Sequence, residues 1–147
     1  MRLLIAGLLV VAGFYGAAGG AVRAAEPDPD CLQKMDTMAI YETKRFHVYQ
    51  DALKGMKDNT QASRAASICG GALSRANAYY KRQVADKSVC VVGSSYVDQQ
   101  VPALFKNATN TCSGEFQRFA KQLPLEEQQR IIQEVSQKEG AIRPDVK

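Results

Sequence analysis

The chain has no tryptophan and one histidine, His47, so any imidazole-based relay or two-histidine metal site lacks its second member. No Gly-x-Ser-x-Gly and no phosphate-binding loop occur, which removes the strand-to-helix nucleophile turn and the nucleotide cradle. Its cysteines form no Cys-x-x-Cys. Zinc ribbons, thioredoxin-like redox centres and covalently attached haem therefore have no motif to stand on. No segment reads as a strand and no repeat of fixed period appears.

Charge of one sign is also scarce. Nineteen bases against fifteen acids give a formal net charge of +4. Two of the bases, Arg2 and Arg23, bracket an uncharged run with an apolar core from Leu3 to Ala18, so residues 1–24 read as a cleaved signal peptide ending near Val22-Arg23-Ala24. Without them the balance is 17 to 15, or +2. A near-neutral chain with interspersed charges offers no electrostatic footprint for nucleic acid. Five glycines and small residues at its exit distinguish the leader from a spanning helix, so no stable membrane anchor is expected after cleavage. The remaining 123 of 147 residues suit one domain that gains from crosslinks.

Four cysteines, all beyond the leader, read as two disulfides formed in an oxidising compartment, periplasmic or secreted. Residues 25–30 form an acidic, proline-marked lead-in, residues 31–140 a helical domain and residues 141–147 a loose tail. In the first helix, Cys31 to about Met56, Leu32, Ala39, Phe46 and Leu53 recur every seven residues beside Met35, Tyr49 and Met56, with Asp28 or Asp30 as cap. A second helix from Thr60, capped by Asp58, Asn59 or Thr60 itself, carries Ala62, Ala65, Ile68 or Cys69, Ala72, Ala76, Tyr79 and Val84. A third, about Ser95 to Gln122, carries Val97, Val101, Leu104, Ala108, Cys112, Phe116, Phe119 and Leu123, with Pro102 inside the pattern. Pro124 opens a short fourth helix, Leu125 to about Gln137, with Ile131, Ile132 and Val135 inward and Gly140 as its stop. The expected fold is all-α: an antiparallel bundle of three long helices and a short C-terminal one, stapled by two disulfides.

Antiparallel geometry selects the pairing, because residues at equal height in a hairpin have numbers that sum to a constant. A turn near residues 90–91 sets Cys112 level with Cys69, and a turn near 58–60 brings Cys31 close to Cys90. Pairing Cys31 with Cys69 would span roughly 24 Å at 1.5 Å per residue, beyond disulfide reach.

Glu42 interrupts the first helix's apolar stripe, and the same arithmetic sets Arg75 opposite it. A cross-helix Glu42–Arg75 ion pair is expected, since an unpaired buried carboxylate is costly. Gly70 and Gly71 follow Cys69 and leave three readings open: close helix approach, a kink, or a ligand cavity. Met35, Met38 and Met56 are soft donors suited to Cu(I), but Met56 lies about 30 Å from Met35 along one helix and His47 projects away from Met38, so core packing accounts for them. No metal and no cofactor is assigned. Tyr79-Tyr80-Lys81-Arg82 reads as a helix face with rings inward and charges outward, and Asn107-Ala-Thr109 is a glycosylation sequon only in a eukaryotic secretory pathway.

These features point to a small exported, non-enzymatic helical module that binds another periplasmic or extracellular protein as adaptor, inhibitor or chaperone-like factor. The alternative is a small-ligand binder using a cavity at Gly70-Gly71. An enzyme ranks behind both, with Glu42 as its single candidate carboxylate. Non-reducing peptide mapping is expected to return the pairs 31–90 and 69–112, and either other pairing would overturn the three-helix topology.

Overall fold

The computed structural model describes residues 25–56, 59–92 and 95–144. The leader at 1–24, the candidate cap Asp58 and the last three residues of the tail lie outside the described residues. Four helices follow one another: α1 (Pro29–Gly55), α2 (Thr60–Ala85), α3 (Ser95–Ala120) and α4 (Leu125–Gly140). Among the described residues there is no strand, and no helix is long and apolar enough to cross a membrane.

The boundaries follow local chemistry. Asp28 caps α1 by accepting from the Asp30 N–H at 3.0 Å, so the helix begins inside the expected lead-in, two residues before Cys31. Asn59 caps α2 through the N–H groups of Gln61 and Ala62, both at 3.1 Å. The fourth helix continues three residues past its expected end and takes in Gly140.

α3 is the central element, packing on α1 and α2 more extensively than those two pack on each other. The core joins Phe46, Tyr49 and Leu53 of α1 to Ala62, Ala65, Ala66, Leu73 and Tyr80 of α2 and to Val101, Phe105, Phe116 and Phe119 of α3. Leu73 and Tyr80 occupy the inward positions expected of Ala72 and Tyr79, so the stripe of α2 runs 69–73–76–80 and Val84 turns outward. Both disulfides form as the height argument requires. Cys69 and Cys112 are fully buried with Cα atoms 5.2 Å apart, and Cys31–Cys90 ties the start of α1 to the α2–α3 connection at 5.6 Å. Closing loops of 43 and 59 residues, each restricts the unfolded chain by about 4 kcal/mol on the chain-entropy relation. These crosslinks fit an oxidising, extracellular-type environment.

Gly70 and Gly71 produce neither break nor cavity: α2 runs through them. A Cβ on Gly70 would lie 2.9 Å from Nε2 of Gln50, whose amide donates to the Ala66 carbonyl at 3.0 Å. The space is thus filled from α1 rather than left to a ligand, and the close approach is to α1, not α3. At Gly71 a Cβ would meet only the Arg75 guanidinium, at an ordinary 3.5 Å. Gly71→Ala is therefore expected to stabilise the protein by about 1 kcal/mol through helix propensity. Gly70→Ala should gain about 1 kcal/mol less, because Gln50 must move and give up its hydrogen bond. Urea denaturation of the two variants checks the order, and equal gains would show that Gln50 does not hold this site.

Candidate functional site

Three sets of side chains carry the chemistry available to the fold: a charged cluster between α1 and α4, the disulfide corner, and an apolar groove between α1 and α2.

Glu42 is 8% exposed, as an interruption of the core stripe should be, but its partner differs from the expected one. Its two carboxylate oxygens accept from Nη1 of Arg45, one turn along the same helix, at 3.2 and 3.3 Å. Arg75 is exposed on α2 beside Gly71, so the Glu42–Arg75 pair is not the one formed. The reason lies in α4, which the height arithmetic of three helices omitted. Arg45 donates through Nε and Nη2 to Oε1 of Glu139 at 2.8 and 2.6 Å, and the Tyr49 hydroxyl donates to Oε2 of the same carboxylate. Held by Glu139, Arg45 already presents a guanidinium to Glu42 along one helix face, without a reach across helices. The Glu42 backbone carbonyl in turn accepts from the buried Thr109 hydroxyl of α3 at 3.1 Å.

The cluster shifts its own titrations. Burial works against the Arg45 charge, but the bond to Glu139 and the charges of Glu42 and Glu139 outweigh it and raise its pKa. Burial would lift the Glu139 carboxyl, yet the hydrogen bonds from Tyr49 and Arg45 hold it below the usual carboxylate range. Burial, then the bond to Glu139, push the Tyr49 phenol up. Both carboxylates are engaged by one guanidinium, an arrangement that fastens α4 to α1.

At the disulfide corner, Asp98 accepts from the Cys90 N–H at 2.7 Å, and Cys90 adopts a positive φ of 62° while its carbonyl accepts from the Asp28 N–H at 3.1 Å. The sulfurs of Cys31 and Cys90 and a carboxylate oxygen of Asp98 lie within 4.8 Å of one another. Both sulfurs are bonded to each other, so the oxidised chain has no thiolate there for a metal. His47 is exposed, its ring edge-on to Phe46 at 5.5 Å, while Met56 is buried and Met35 and Met38 pack against the core.

The groove between α1 and α2 was not foreseen. It has a volume of about 470 Å³, with Ala39 and Tyr80 as floor, Ile40 and Val84 as walls and Lys44 and Lys81 on the rim. Ile40 and Val84 stay 54% and 40% exposed. The Tyr80 hydroxyl donates to Oδ1 of Asp36 at 2.7 Å, and burial followed by that bond and the charge of Asp36 raises its pKa. Two signals for the groove were present. Ile40 lies off the 32–39–46–53 stripe, and Val84 falls outside a 69–73–76–80 register.

Compared with protein-family models, curated proteins and solved structures, the chain matches none.

The clamp at Arg45 has a definite pH sign. Because the folded-state pKa of Glu139 is depressed, its contribution is present above the ordinary carboxylate value of about 4.3 and is lost as pH falls through the lower folded value. Acidification below about pH 4 is expected to free the amides of residues 125–140 before those of α1–α3. At neutral pH, Arg45→Met should cost about 3 kcal/mol by leaving Glu42 buried and unpaired, and Glu139→Gln only about 1. Hydrogen exchange with denaturant titration checks both, and equal costs would place the weight on the α4 contact alone.

Proposed function

We propose that the chain is an exported, non-enzymatic helical module that binds another protein along the α1–α2 groove. The observation that carries this reading is the apolar groove itself, whose walls Ile40 and Val84 remain 54% and 40% exposed above a floor of buried Ala39 and Tyr80. Contiguous exposed apolar surface rimmed by polar groups marks interaction sites. The leader-like residues 1–24 and the two disulfides support export to an oxidising compartment such as the periplasm. A crosslinked bundle suits an adaptor or inhibitor, since a preorganised surface loses little entropy on binding. The small-ligand alternative moves to the same groove, because Gln50 fills the space beside Gly70. Among the described residues the groove is open rather than enclosed, which favours a protein over an enclosed small molecule.

A photoactivatable benzoylphenylalanine at Ile40, in cells that export the protein, is expected to give a discrete protein adduct. The same probe at Gln133 on exposed α4 should give none, and Val84→Asp should abolish the adduct from position 40. No adduct, or equal adducts from both positions, would refute the groove as the contact surface.

A further inference from the structure

We infer that the Cys31–Cys90 bridge is a thiol–disulfide exchange site: an external dithiol reduces it while Cys69–Cys112 stays closed, and its opening frees the start of α1 from the α2–α3 connection. This stands apart from the reading of the groove and does not depend on what lies there.

The two bridges sit in unlike places. Cys69 and Cys112 are both 0% exposed and lie mid-helix in two helices that pack extensively on each other. A reductant reaches them only after α2 and α3 part, an opening close to global unfolding. Cys31 is partly exposed in the first turn of α1, and Cys90 lies in the connection after α2. Fraying of one helix end is enough to present that bridge. Exchange rate follows access, so location alone separates the two.

The connection also holds backbone that side-chain-bearing residues avoid. Among the described residues, Lys87 and Cys90 are the non-glycine positions with positive φ, at 53° and 62°. Such conformations persist only where the surroundings hold them, and they gather at switch regions. At Cys90 the hold includes the sulfur bond to Cys31, the Asp28 N–H donated to its carbonyl at 3.1 Å, and its own N–H donated to Asp98 at 2.7 Å. Reduction removes the covalent part of that hold.

The exchange balances in two steps. A thiolate of the dithiol attacks Sγ of Cys31, the electron pair of the S–S bond leaves on Sγ of Cys90, and Cys90 takes a proton from water. The second thiol of the reductant, deprotonated, then attacks its own sulfur in the mixed disulfide and displaces Cys31, which is protonated in turn. Two electrons and two protons pass to the protein, and the dithiol becomes a disulfide.

Cys31 is the single cysteine of α1, so this bridge is the one crosslink that helix has. α1 also packs on α2 less than either packs on α3. The stretch that α1 and α2 share as groove walls starts at Asp36 and ends at Val84, close to Cys31 and Cys90 in sequence. Opening the bridge therefore loosens the α1–α2 pair at that end and leaves α2 and α3 fixed to each other.

The test treats the intact, oxidised protein with dithiothreitol under native conditions, quenches with iodoacetamide at intervals and maps the labelled cysteines by mass spectrometry. Cys31 and Cys90 are expected to label together, about a hundredfold faster than Cys69 and Cys112. The half-reduced protein should keep its far-ultraviolet helicity and the hydrogen-exchange protection of residues 62–80 and 101–119, while the amides of residues 31–35 and 90–91 exchange at least about tenfold faster. Replacing dithiothreitol with glutathione disulfide should close the bridge and restore both. A Cys90→Ser variant should form a mixed disulfide with glutathione at Cys31 while Cys69–Cys112 stays intact, and its failure to do so overturns the attack at Cys31. Labelling of all four cysteines at one rate, earlier labelling of the buried pair, or loss of helicity when Cys31–Cys90 alone is cut overturns the inference and leaves the bridge a structural staple. Unchanged exchange at residues 31–35 and 90–91 after selective reduction overturns the release.

Discussion

The bond between Cys69 and Cys112 fixes the height at which α2 meets α3, and most of the architecture is set once that height is set. It joins mid-helix to mid-helix in the fully buried interior, so neither helix can slide by a turn against the other. Alanines at 62, 65, 66 and 76 keep α2 slim around it, and the bulk is supplied from the other side by Phe46 and Leu53 of α1 and by Phe105 and Phe119 of α3. The second bridge closes one end of the bundle, where the Cys90 carbonyl accepts from the Asp28 N–H and the Cys90 N–H donates to the Asp98 carboxylate. Within this frame the packing has one principal register, a condition for a unique native state.

The frame leaves α1 with two unlike flanks. On one side α4 is fastened by Arg45, which serves Glu42 beneath it and Glu139 above it, with Tyr49 as a second donor to Glu139. The carboxylates there are balanced by one guanidinium, with the Tyr49 hydroxyl as a further donor to Glu139, and it is the guanidinium that lets a buried glutamate be tolerated in a core stripe. The opposite flank, with Ile40, Lys44, Lys81 and Val84, has the same mixture of apolar surface and basic rim. No element of the described chain lies on it. That difference between the two sides of one helix organises the functional reading.

Much of the scaffold could be read from the residues because its determinants are local or periodic. The seven-residue stripe of α1, cap-forming residues at 28–30 and 58–60, and the fixed rise of a helix were enough to yield the bundle and both disulfides, while the choice of Asp28 and Asn59 among those caps came from the structure. The register of α2 was harder. In a helix built from alanine, apolar side chains are so small and so widely spread that Ala72 and Tyr79 compete with Leu73 and Tyr80 for the inward face. The choice falls to the partner helices, and Tyr80 settles edge-on to Phe105 at 6.1 Å. The Glu42–Arg75 expectation failed for a related reason, since pair arithmetic on three helices carries no information about Glu139 on a fourth. The groove is least visible of all, because it consists of surface that α1 and α2 do not bury against each other.

The hydrogen bond from Tyr80 to Asp36 has a spectroscopic consequence. With no tryptophan in the chain, its ultraviolet signature comes from tyrosine, phenylalanine and the disulfides. Tyr80 forms part of the groove floor, and Tyr49 belongs to the α4 clamp. The absorbance and circular dichroism of these two phenols would respond to different events: an occupant of the groove would perturb one, and release of the C-terminal helix the other. A Tyr→Phe substitution at either position assigns its band, so the native chain carries two intrinsic optical reporters, one on each flank of α1.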